Sequence, residues 1–256
     1  MNIVSGRVWE HIKSLLADGP VHMTLLDPAS SPGRAGEEIA VIAAEKGTHA
    51  IMVGGSTDVS SDNLDTLVTH IKERTKLPVI YFPAAAGAMS AQVDAIYFLS
   101  ALNSRDPRFI VGEQAVGAPL IKAIGMEAIP MGYILVEPGM KVGMVSDADV
   151  IPRSKGGAER AAGLALAAQY FGMKLVYLEC GSGAPSPCPV DIVRSVREAI
   201  DVPLVVGGGI RSGPDARAIL EAGADILVTG TIAENRHFDR LGDVIDAVRE
   251  RRRADG

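Results

Sequence analysis

The chain alternates eight times between short apolar runs rich in β-branched residues and longer amphipathic stretches. Each short run is apolar almost throughout, as expected for parallel strands covered on both faces. Most of the runs are separated by stretches of helical length, which is the pattern of successive βα units. The predicted strands are residues 21–27, 50–55, 78–83, 95–103, 127–136, 175–181, 203–210 and 225–230. The predicted helices are residues 35–46, 62–76, 111–124, 157–171, 190–200, 214–222 and 238–252.

Eight such strands can close into a (β/α)8 barrel or stay as an open doubly wound sheet. The length of 256 residues is typical of one barrel and leaves nothing over for a second domain. Residues 45–55 and 221–231 also share a helix end, a turn glycine and a strand, as repeated βα units would. We therefore expect a single α/β domain over residues 1–256, folded as a (β/α)8 TIM barrel. Only residues 84–94 separate the third and fourth strands, so the third helix is expected to be short or missing.

Charge and composition exclude several classes of function. A net charge of −6 argues against a general nucleic-acid binder, which needs a basic face. No apolar run is long enough for a transmembrane segment, and the N-terminal residues lack the apolar core of a signal peptide. The two cysteines do not have metal-binding spacing and are expected to be free thiols in a reducing compartment. We therefore expect a soluble, cytoplasmic protein with no nucleic-acid partner.

Glycine-rich turns follow the sixth, seventh and eighth predicted strands, at the end of a barrel where active sites lie. Glycines leave backbone N–H groups uncovered, and the N-termini of the following helices favour a bound dianion. One such turn would indicate only a tight βα connection, but three on neighbouring strands predict a phosphate site. The residues in these turns are Gly181, Ser182, Gly183, Gly207, Gly208, Gly230 and Thr231.

Other polar residues at the same end of the barrel have a chemical and a structural interpretation. Asp27 and Ser56 end the first and second strands, where a carboxylate can hold Mg²⁺ together with water and substrate phosphates. Asp27 can equally cap the helix that follows it. Glu179 lies beside the predicted phosphate site as a general base or as one half of an ion pair, and Tyr177 shares its face of the strand. Arg211 is either a contact to phosphate or a solvated residue before the next helix, and the second interpretation is favoured.

Five segments together resemble the geranylgeranylglyceryl phosphate synthase family, and the resemblance extends over nearly the whole chain. The combination of a DP pair, a GGS turn and a YLE-x-GSGA pattern is specific, whereas any one glycine pair would not be. The segments are HMTLLDPA at 22–29, IMVGGST at 51–57, YLECGSGAP at 177–185, VVGGGIRS at 205–212 and VTGTIAE at 228–234.

The resemblance implies a barrel prenyltransferase that joins geranylgeranyl diphosphate to sn-glycerol 1-phosphate, forming the first ether bond of archaeal membrane lipids. It implies Mg²⁺ held by Asp27 and Ser56, Glu179 as the base on the glycerol hydroxyl with Tyr177 beside it, and a homo-oligomer, either a dimer or a hexamer. The residues matched to glycerol phosphate binding are Tyr177, Leu178, Glu179, Cys180, Gly181, Ser182, Gly183, Gly207, Gly208, Gly230 and Thr231.

The chain departs from the family pattern at two positions. Cys180 stands where alanine is usual, and Leu25 stands where some members have a lysine two residues before the first-strand aspartate. The second departure resembles the second archaeal branch of the family and puts a lysine contact to the diphosphate in doubt. Three alternatives remain open: a synthase for a longer, heptaprenyl-type diphosphate, another phosphate-binding barrel such as a sugar-phosphate isomerase or flavin oxidoreductase, and a non-catalytic phosphate-binding barrel.

A polyprenyl substrate also needs a long apolar groove. Small residues allow one past Tyr97, Ala101 and Ala118, and Phe109 is a candidate floor for it or simply a core residue. Residues 139–154 are the longest stretch without clear periodicity, so they are expected to form a functional lid or to be disordered.

Overall fold

Eight parallel strands close into a barrel in chain order, in a computed structural model that describes residues 6–55 and 57–255. Closure is made by β1 and β8, which pair in parallel register with Thr24 beside Thr229. The (β/α)8 prediction is therefore confirmed, and each observed strand lies inside its predicted range. The strands are β1 Val21–Leu26, β2 Ala50–Val53, β3 Val79–Tyr81, β4 Ala95–Ala101, β5 Glu127–Leu135, β6 Leu175–Glu179, β7 Leu204–Gly207 and β8 Ile226–Thr229.

All seven predicted helices form, and residues 84–94 between β3 and β4 form none, as the short spacing predicted. Three helices were not predicted: one before β1, one inside the aperiodic stretch after β5, and one turn after β8. The helices are α1 Arg7–Ala17, α2 Arg34–Lys46, α3 Ser61–Arg74, α4 Glu113–Ile124, α5 Met140–Val145, α6 Gly157–Tyr170, α7 Val190–Ala199, α8 Gly213–Glu221, α9 Thr231–Glu234 and α10 Phe238–Asp255. A π-helical turn, Arg108–Gly112, leads into α4. Within the described ranges, none of these helices has the length and apolarity that crossing a bilayer requires.

Alternate strand residues separate two apolar layers. One set, which includes Met23, Met131 and Val205, fills the barrel interior, while the other packs under the surrounding helices. This is the expected result of strands whose side chains point to opposite faces in turn.

Helix α1 closes the bottom of the barrel, opposite the predicted site. Val8, Trp9 and Ile12 pack into the interior layer. The buried Glu127 carboxylate accepts hydrogen bonds from the N–H groups of Val8 and Trp9 at 2.8 and 2.9 Å, which satisfies the free amides at the start of the helix. The guanidinium of Arg252 donates to Leu15 O at the other end of the helix. The barrel is thus open to solvent mainly at its carboxyl end, where the candidate site lies.

Candidate active site

One cavity occupies the carboxyl end of the barrel, and both predicted rims contribute to it. Asp27 and Gly55 line it from β1 and β2, and Ser182, Gly208 and Thr231 line it from the loops after β6, β7 and β8. The arrangement therefore brings the predicted metal site and the predicted phosphate site to opposite sides of one space. Ser56 lies outside the described residues, so its predicted role stays a prediction.

The three glycine-rich turns meet, as three neighbouring strands would require. The Ser182 and Thr231 hydroxyls lie 3.1 Å apart, and Thr231 Oγ1 also accepts from Gly183 N–H at 3.1 Å. The β7 turn is equally close to the β6 turn, because a Cβ added at Gly208 would lie 2.8 Å from Gly181 N. We call this surface, formed by Ser182, Gly183, Gly208, Gly209, Gly230 and Thr231, the glycine rim.

Gly207, which ends β7, and Gly208, which follows it, leave space for the side chains of Tyr177 and Glu179 rather than merely making a turn. A Cβ at Gly207 would lie 2.0 Å from the Tyr177 hydroxyl oxygen, so only glycine allows that hydroxyl to stand there. Gly208 has a φ of +82°, and a Cβ there would lie 2.6 Å from Glu179 Oε1. Among the described residues, the cavity is lined by Gly208 and Gly209, whereas the predicted Gly207 does not border it.

Glu179 is a buried carboxylate at the floor of the cavity. Its Oε1 accepts the N–H of Gly181 at 2.6 Å, and the hydroxyls of Tyr133 and Tyr177 face the same carboxylate. Burial raises the pKa of Glu179, while the Gly181 amide and the two tyrosine hydroxyls oppose that rise. Burial, followed by the charge of Glu179, raises the pKa of both tyrosines, so they stay protonated donors. The ion-pair alternative for Glu179 is not what the structure shows, because its partners are an amide and two hydroxyls.

An aromatic cluster supports this floor. Phe82 stacks on Tyr177 with ring centroids 5.6 Å apart and meets Tyr133 edge-on at the same distance. Tyr133 and Tyr177 contact each other at 5.4 Å, in neighbouring strands whose register places them side by side. Packing of this kind fixes the ring orientations, and therefore the positions of the hydroxyls around Glu179.

The side of the mouth where β1 and β2 end carries acidic side chains, and Glu234 of α9 joins them where this side meets the glycine rim. We call this surface, formed by Asp27, Asp58 and Glu234, the acidic rim. Asp27 Oδ1 accepts from Ala29 N–H at 2.9 Å, and the Asp27 N–H donates to Glu234 Oε1 at 2.9 Å. A Cβ at Gly55 would lie 2.2 Å from Asp27 Oδ2, so this glycine makes room for the carboxylate. Asp27 thus does both things the sequence allowed: it holds the following turn and it presents a carboxylate to the cavity.

The acidic rim fits a magnesium ion that shares its ligands with a substrate. Burial raises the pKa of Asp27, the Ala29 amide and the charge of Lys141 lower it, and Asp58 raises it again. In the described part of the chain, no group of three or more His, Cys, Asp or Glu residues is arranged to hold a metal unaided. Mg²⁺ is commonly bound by one or two carboxylates, waters and substrate phosphates, and Asp27 supplies the oxygen donor that such a site needs.

An apolar groove leaves the cavity where the third helix is missing. Ile96 and Phe98 on the outer face of β4 line it, because residues 84–94 form only a loop and do not cover that face as a helix would. Tyr97, Ala101 and Phe109 line the cavity or groove as predicted. The prediction for Ala118 was wrong, because this residue does not border the groove. The α4 residues that do are Glu113, Gln114, Gly117 and Ile121.

Two of the residues matched to glycerol phosphate binding, Leu178 and Cys180, do not present their side chains to the cavity. The side chains of Leu178 and Cys180 pack in the layer beneath the helices, away from the cavity, because they alternate with Tyr177 and Glu179 along β6. Arg211 is not merely solvated: it lines the cavity and donates to Gly183 O and Ala184 O at 2.9 and 2.7 Å. It therefore anchors the β6 turn.

The sequence interpretation did not single out Tyr133, Gly209 or Glu234, all of which border the cavity. Tyr133 had a signal, since it stands on the interior face of β5 two residues before the strand ends. Glu234 had none, because its approach to Asp27 depends on the fold of α9.

The aperiodic segment after β5 is ordered and bridges the mouth. Gly139 and Met140 press against the β6 turn, where a Cβ at Gly181 would lie 2.5 Å from Met140 Cβ. Val142 borders the cavity, and Lys141 Nζ donates to Thr57 Oγ1 in the loop after β2. Of the two expectations for residues 139–154, a lid fits the structure and disorder does not.

Comparisons with known proteins agree on one family. The PcrB family model matches residues 13–251. A geranylgeranylglyceryl phosphate synthase of Thermococcus sibiricus is 48% identical over 250 residues, covering 96% of this chain and 97% of its own length. One of Pyrococcus horikoshii is 51% identical over 245 residues, covering 95% and 96%. The crystal structure of (S)-3-O-geranylgeranylglyceryl phosphate synthase from Thermoplasma acidophilum, in complex with its substrate sn-glycerol 1-phosphate, superposes with a TM-score of 0.90 at 42% identity, covering 98% of this chain and 99% of that one.

Proposed function

The chain belongs to the PcrB family, and we propose that it joins geranylgeranyl diphosphate to sn-glycerol 1-phosphate through an ether bond, releasing diphosphate. The observation that carries this proposal is the set of groups gathered in one cavity: the glycine rim with the hydroxyls of Ser182 and Thr231, the buried Glu179 carboxylate at the floor, and the acidic rim. The apolar groove past Phe98 and Phe109 suits a prenyl tail. Relatives that are 48% and 51% identical to the chain carry the name of that activity.

The glycine rim holds the glycerol phosphate in this proposal. The hydroxyls of Ser182 and Thr231, and the amides of the positive-φ turn at Gly208 and Gly209, are donors of the kind that bind phosphate. Fixing the phosphate on this rim presents the glycerol hydroxyl to the floor of the cavity, which reduces the entropic cost of the encounter with the allylic carbon.

Glu179 takes the proton of the attacking hydroxyl. As the glycerol oxygen bonds to the first carbon of the prenyl chain, the bond from that carbon to the diphosphate oxygen breaks, and the proton passes to the carboxylate. Burial raises the pKa of Glu179 and makes it a stronger base than an exposed glutamate. Tyr133 and Tyr177 keep the carboxylate oriented.

The acidic rim receives the diphosphate. Asp27, together with Ser56 as the family resemblance implies, would hold Mg²⁺, and the ion when bound supplies positive charge against the charge that develops on the leaving group. Magnesium dependence, assembly as a dimer or hexamer, and a cytoplasmic location are predictions that accompany this proposal.

The test is a transfer assay with labelled sn-glycerol 1-phosphate and geranylgeranyl diphosphate, with and without EDTA. We expect label to enter the organic phase as a prenylglyceryl phosphate, only when Mg²⁺ is present. Adding a longer prenyl diphosphate in competition separates a geranylgeranyl from a heptaprenyl preference. Tight binding of both substrates without turnover would contradict the proposal in favour of a non-catalytic barrel, and a yellow purified protein would favour a flavin enzyme.

A further inference from the structure

The diphosphate side of the cavity needs positive charge that β1 does not supply. The acidic rim carries the carboxylates of Asp27, Asp58 and Glu234, and position 25 of β1 is an apolar leucine. A diphosphate brought beside these carboxylates is repelled by them unless cations offset the charge. One divalent ion offsets only part of the combined negative charge of the diphosphate and these carboxylates.

Among the described residues that border the cavity, the only Lys or Arg is Arg211, and it serves the other rim. Its guanidinium is bound to the carbonyl oxygens of Gly183 and Ala184 in the β6 turn. It therefore stabilises the glycine rim and does not point towards Asp27.

Lys141 is the cation that stands at the acidic rim. It lies in α5, next to the cavity-lining Val142, and its side chain reaches across the mouth to Thr57 in the loop after β2. Its positive charge is close enough to act on the Asp27 carboxylate. The side chain is exposed at the rim, where a substrate entering the mouth can reach it.

The backbone of α5 fixes where this lysine starts from. Gly139 and Met140 pack against Gly181, so the segment is anchored on the glycine rim, while Lys141 extends away from it. The lysine is therefore placed to act on one substrate and not on both.

We propose that Lys141 binds the diphosphate group of the prenyl substrate, as a flexible cationic donor facing Asp27 across the leaving group. The proposal rests on the proposed function and names a residue that the family motifs did not supply. A lysine ammonium is a compact point charge with three donors, which suits phosphate oxygens whose positions change as the bond breaks. The hydrogen bond to Thr57 then marks the resting position of the side chain.

The test compares Lys141→Gln, which keeps a donor for Thr57 but loses the charge, with Lys141→Arg, which keeps the charge. Isothermal titration measures the binding of inorganic diphosphate in the presence of Mg²⁺, and steady-state kinetics measures the KM of each substrate. We expect Lys141→Gln to weaken diphosphate binding and to raise the prenyl diphosphate KM by about ten-fold, the loss typical of one charged hydrogen bond. The glycerol phosphate KM stays within two-fold of the wild type, roughly the scatter of neutral surface changes, and Lys141→Arg restores most of the affinity.

The matched control is Lys155→Gln, another exposed lysine in the connection between α5 and α6, which should behave as wild type. Unchanged diphosphate binding in Lys141→Gln, or an equal loss for both substrates, overturns the proposal and leaves a purely structural tie to Thr57. If Lys141→Gln weakens diphosphate binding in a protein that shows no turnover, the transferase proposal fails while the diphosphate contact stands. If turnover is intact and Lys141→Gln has no effect, only the lysine assignment fails.

Discussion

The two rims of the cavity hold anions by different means. The glycine rim uses the backbone: Gly183, Gly208 and Gly209 have positive φ, and hydroxyls of Ser182 and Thr231 complete it. The acidic rim uses side chains: Asp27 presents a carboxylate, and any positive charge must come from a bound ion or from Lys141. Positions set by the backbone are fixed before a ligand arrives, whereas side chains and ions adjust to it.

This difference matches the parts that the two substrates play. Glycerol phosphate keeps its phosphate throughout the proposed reaction, so a rigid, preorganised phosphate site suits it. The diphosphate leaves, and a site built from an ion and mobile side chains can follow the charge as it moves. Variants that separate the rims therefore test the comparison directly.

The largest effect is expected between the rims, at Glu179. Changing Glu179→Gln keeps an oxygen for the Gly181 amide but removes the base, so we expect kcat to fall by about a thousand-fold. The KM values of both substrates should change little, because neither rim is altered. A steady-state assay measures both quantities, and a variant with near-normal kcat would remove Glu179 from the role of base.

Stability distinguishes loss of the base from misfolding in this variant. Burial raises the pKa of Glu179 in the folded protein above its unfolded value, so the native state loses stability as the pH rises through the folded pKa. Glutamine does not titrate, so Glu179→Gln should be at least as stable as wild type above the folded pKa of Glu179, with the difference shrinking as the pH falls to the ordinary glutamate value. Urea titrations across this pH range check the sign.

The next effect belongs to the acidic rim alone. Asp27→Asn removes the charge that holds Mg²⁺, and we expect kcat/KM for the prenyl diphosphate to fall by about a hundred-fold, with more Mg²⁺ needed for half-maximal rate. The KM for glycerol phosphate should stay the same. The control is Asp147→Asn, an exposed aspartate in the left-handed conformation that asparagine tolerates, which belongs to neither rim. Equal losses for both substrates in Asp27→Asn would break the distinction between the rims.

A smaller effect is expected at Gly208 of the glycine rim, and it should concern glycerol phosphate rather than the prenyl diphosphate. Alanine there has an unfavourable φ of +82°, a strain of about 1–3 kcal/mol, and a Cβ only 2.6 Å from Glu179 Oε1. The turn must shift to relieve the strain and the clash, which moves the glycine rim, so we expect the glycerol phosphate KM to rise about ten-fold. Gly172→Ala is the matched control, because its φ of +79° is similar, its Cβ would meet nothing within 4 Å, and it lies outside the glycine rim. Similar losses in the two variants would show that strain alone, and not the space beside Glu179, explains the effect.

The comparison also explains which parts of the site could be predicted from the sequence. Strand order and the positions of Asp27, Glu179 and the β6–β8 turns follow from local patterns, because active-site residues of a barrel gather at the carboxyl ends of its strands. The glycines of the β6–β8 turns were predicted to expose backbone N–H groups to a phosphate. That Gly207 and Gly208 yield space to Tyr177 and Glu179 depends on contacts between strands that no local pattern encodes.

What could not be predicted lies in segments without periodicity. The α5 bridge, and with it Lys141, depends on the packing of Met140 against Gly181, two residues far apart in the chain. Helix α1 depends on Glu127, the first residue of β5, which caps the helix although it is more than a hundred residues away in the chain. The missing third helix could be predicted from spacing alone, but the groove it leaves could be traced only once Ile96 and Phe98 were seen uncovered.

The smallest effect is expected at the seam that both rims share, where β1 leads to Asp27 and β8 leads to Thr231. Buried His22 joins this seam through its two ring nitrogens, which lie 2.9 Å from Thr48 Oγ1 and from Thr229 Oγ1. Burial, and then the neighbouring His49, lowers the pKa of His22 to about 3.

The unfolded chain takes up a proton on His22 near the ordinary histidine pKa. The contribution of His22 to the free energy of unfolding is therefore fully present above about pH 6.5, and it is lost as the pH falls towards 3, at about 1.4 kcal/mol per pH unit. His22→Gln removes this titration, and we expect the slope of unfolding free energy against pH between 6 and 4 to be smaller by that amount in denaturant titrations. Because the seam supports both rims equally, the ratio of the KM values for glycerol phosphate and the prenyl diphosphate should not change in His22→Gln. A selective loss for one substrate would show that His22 supports only one of the two rims.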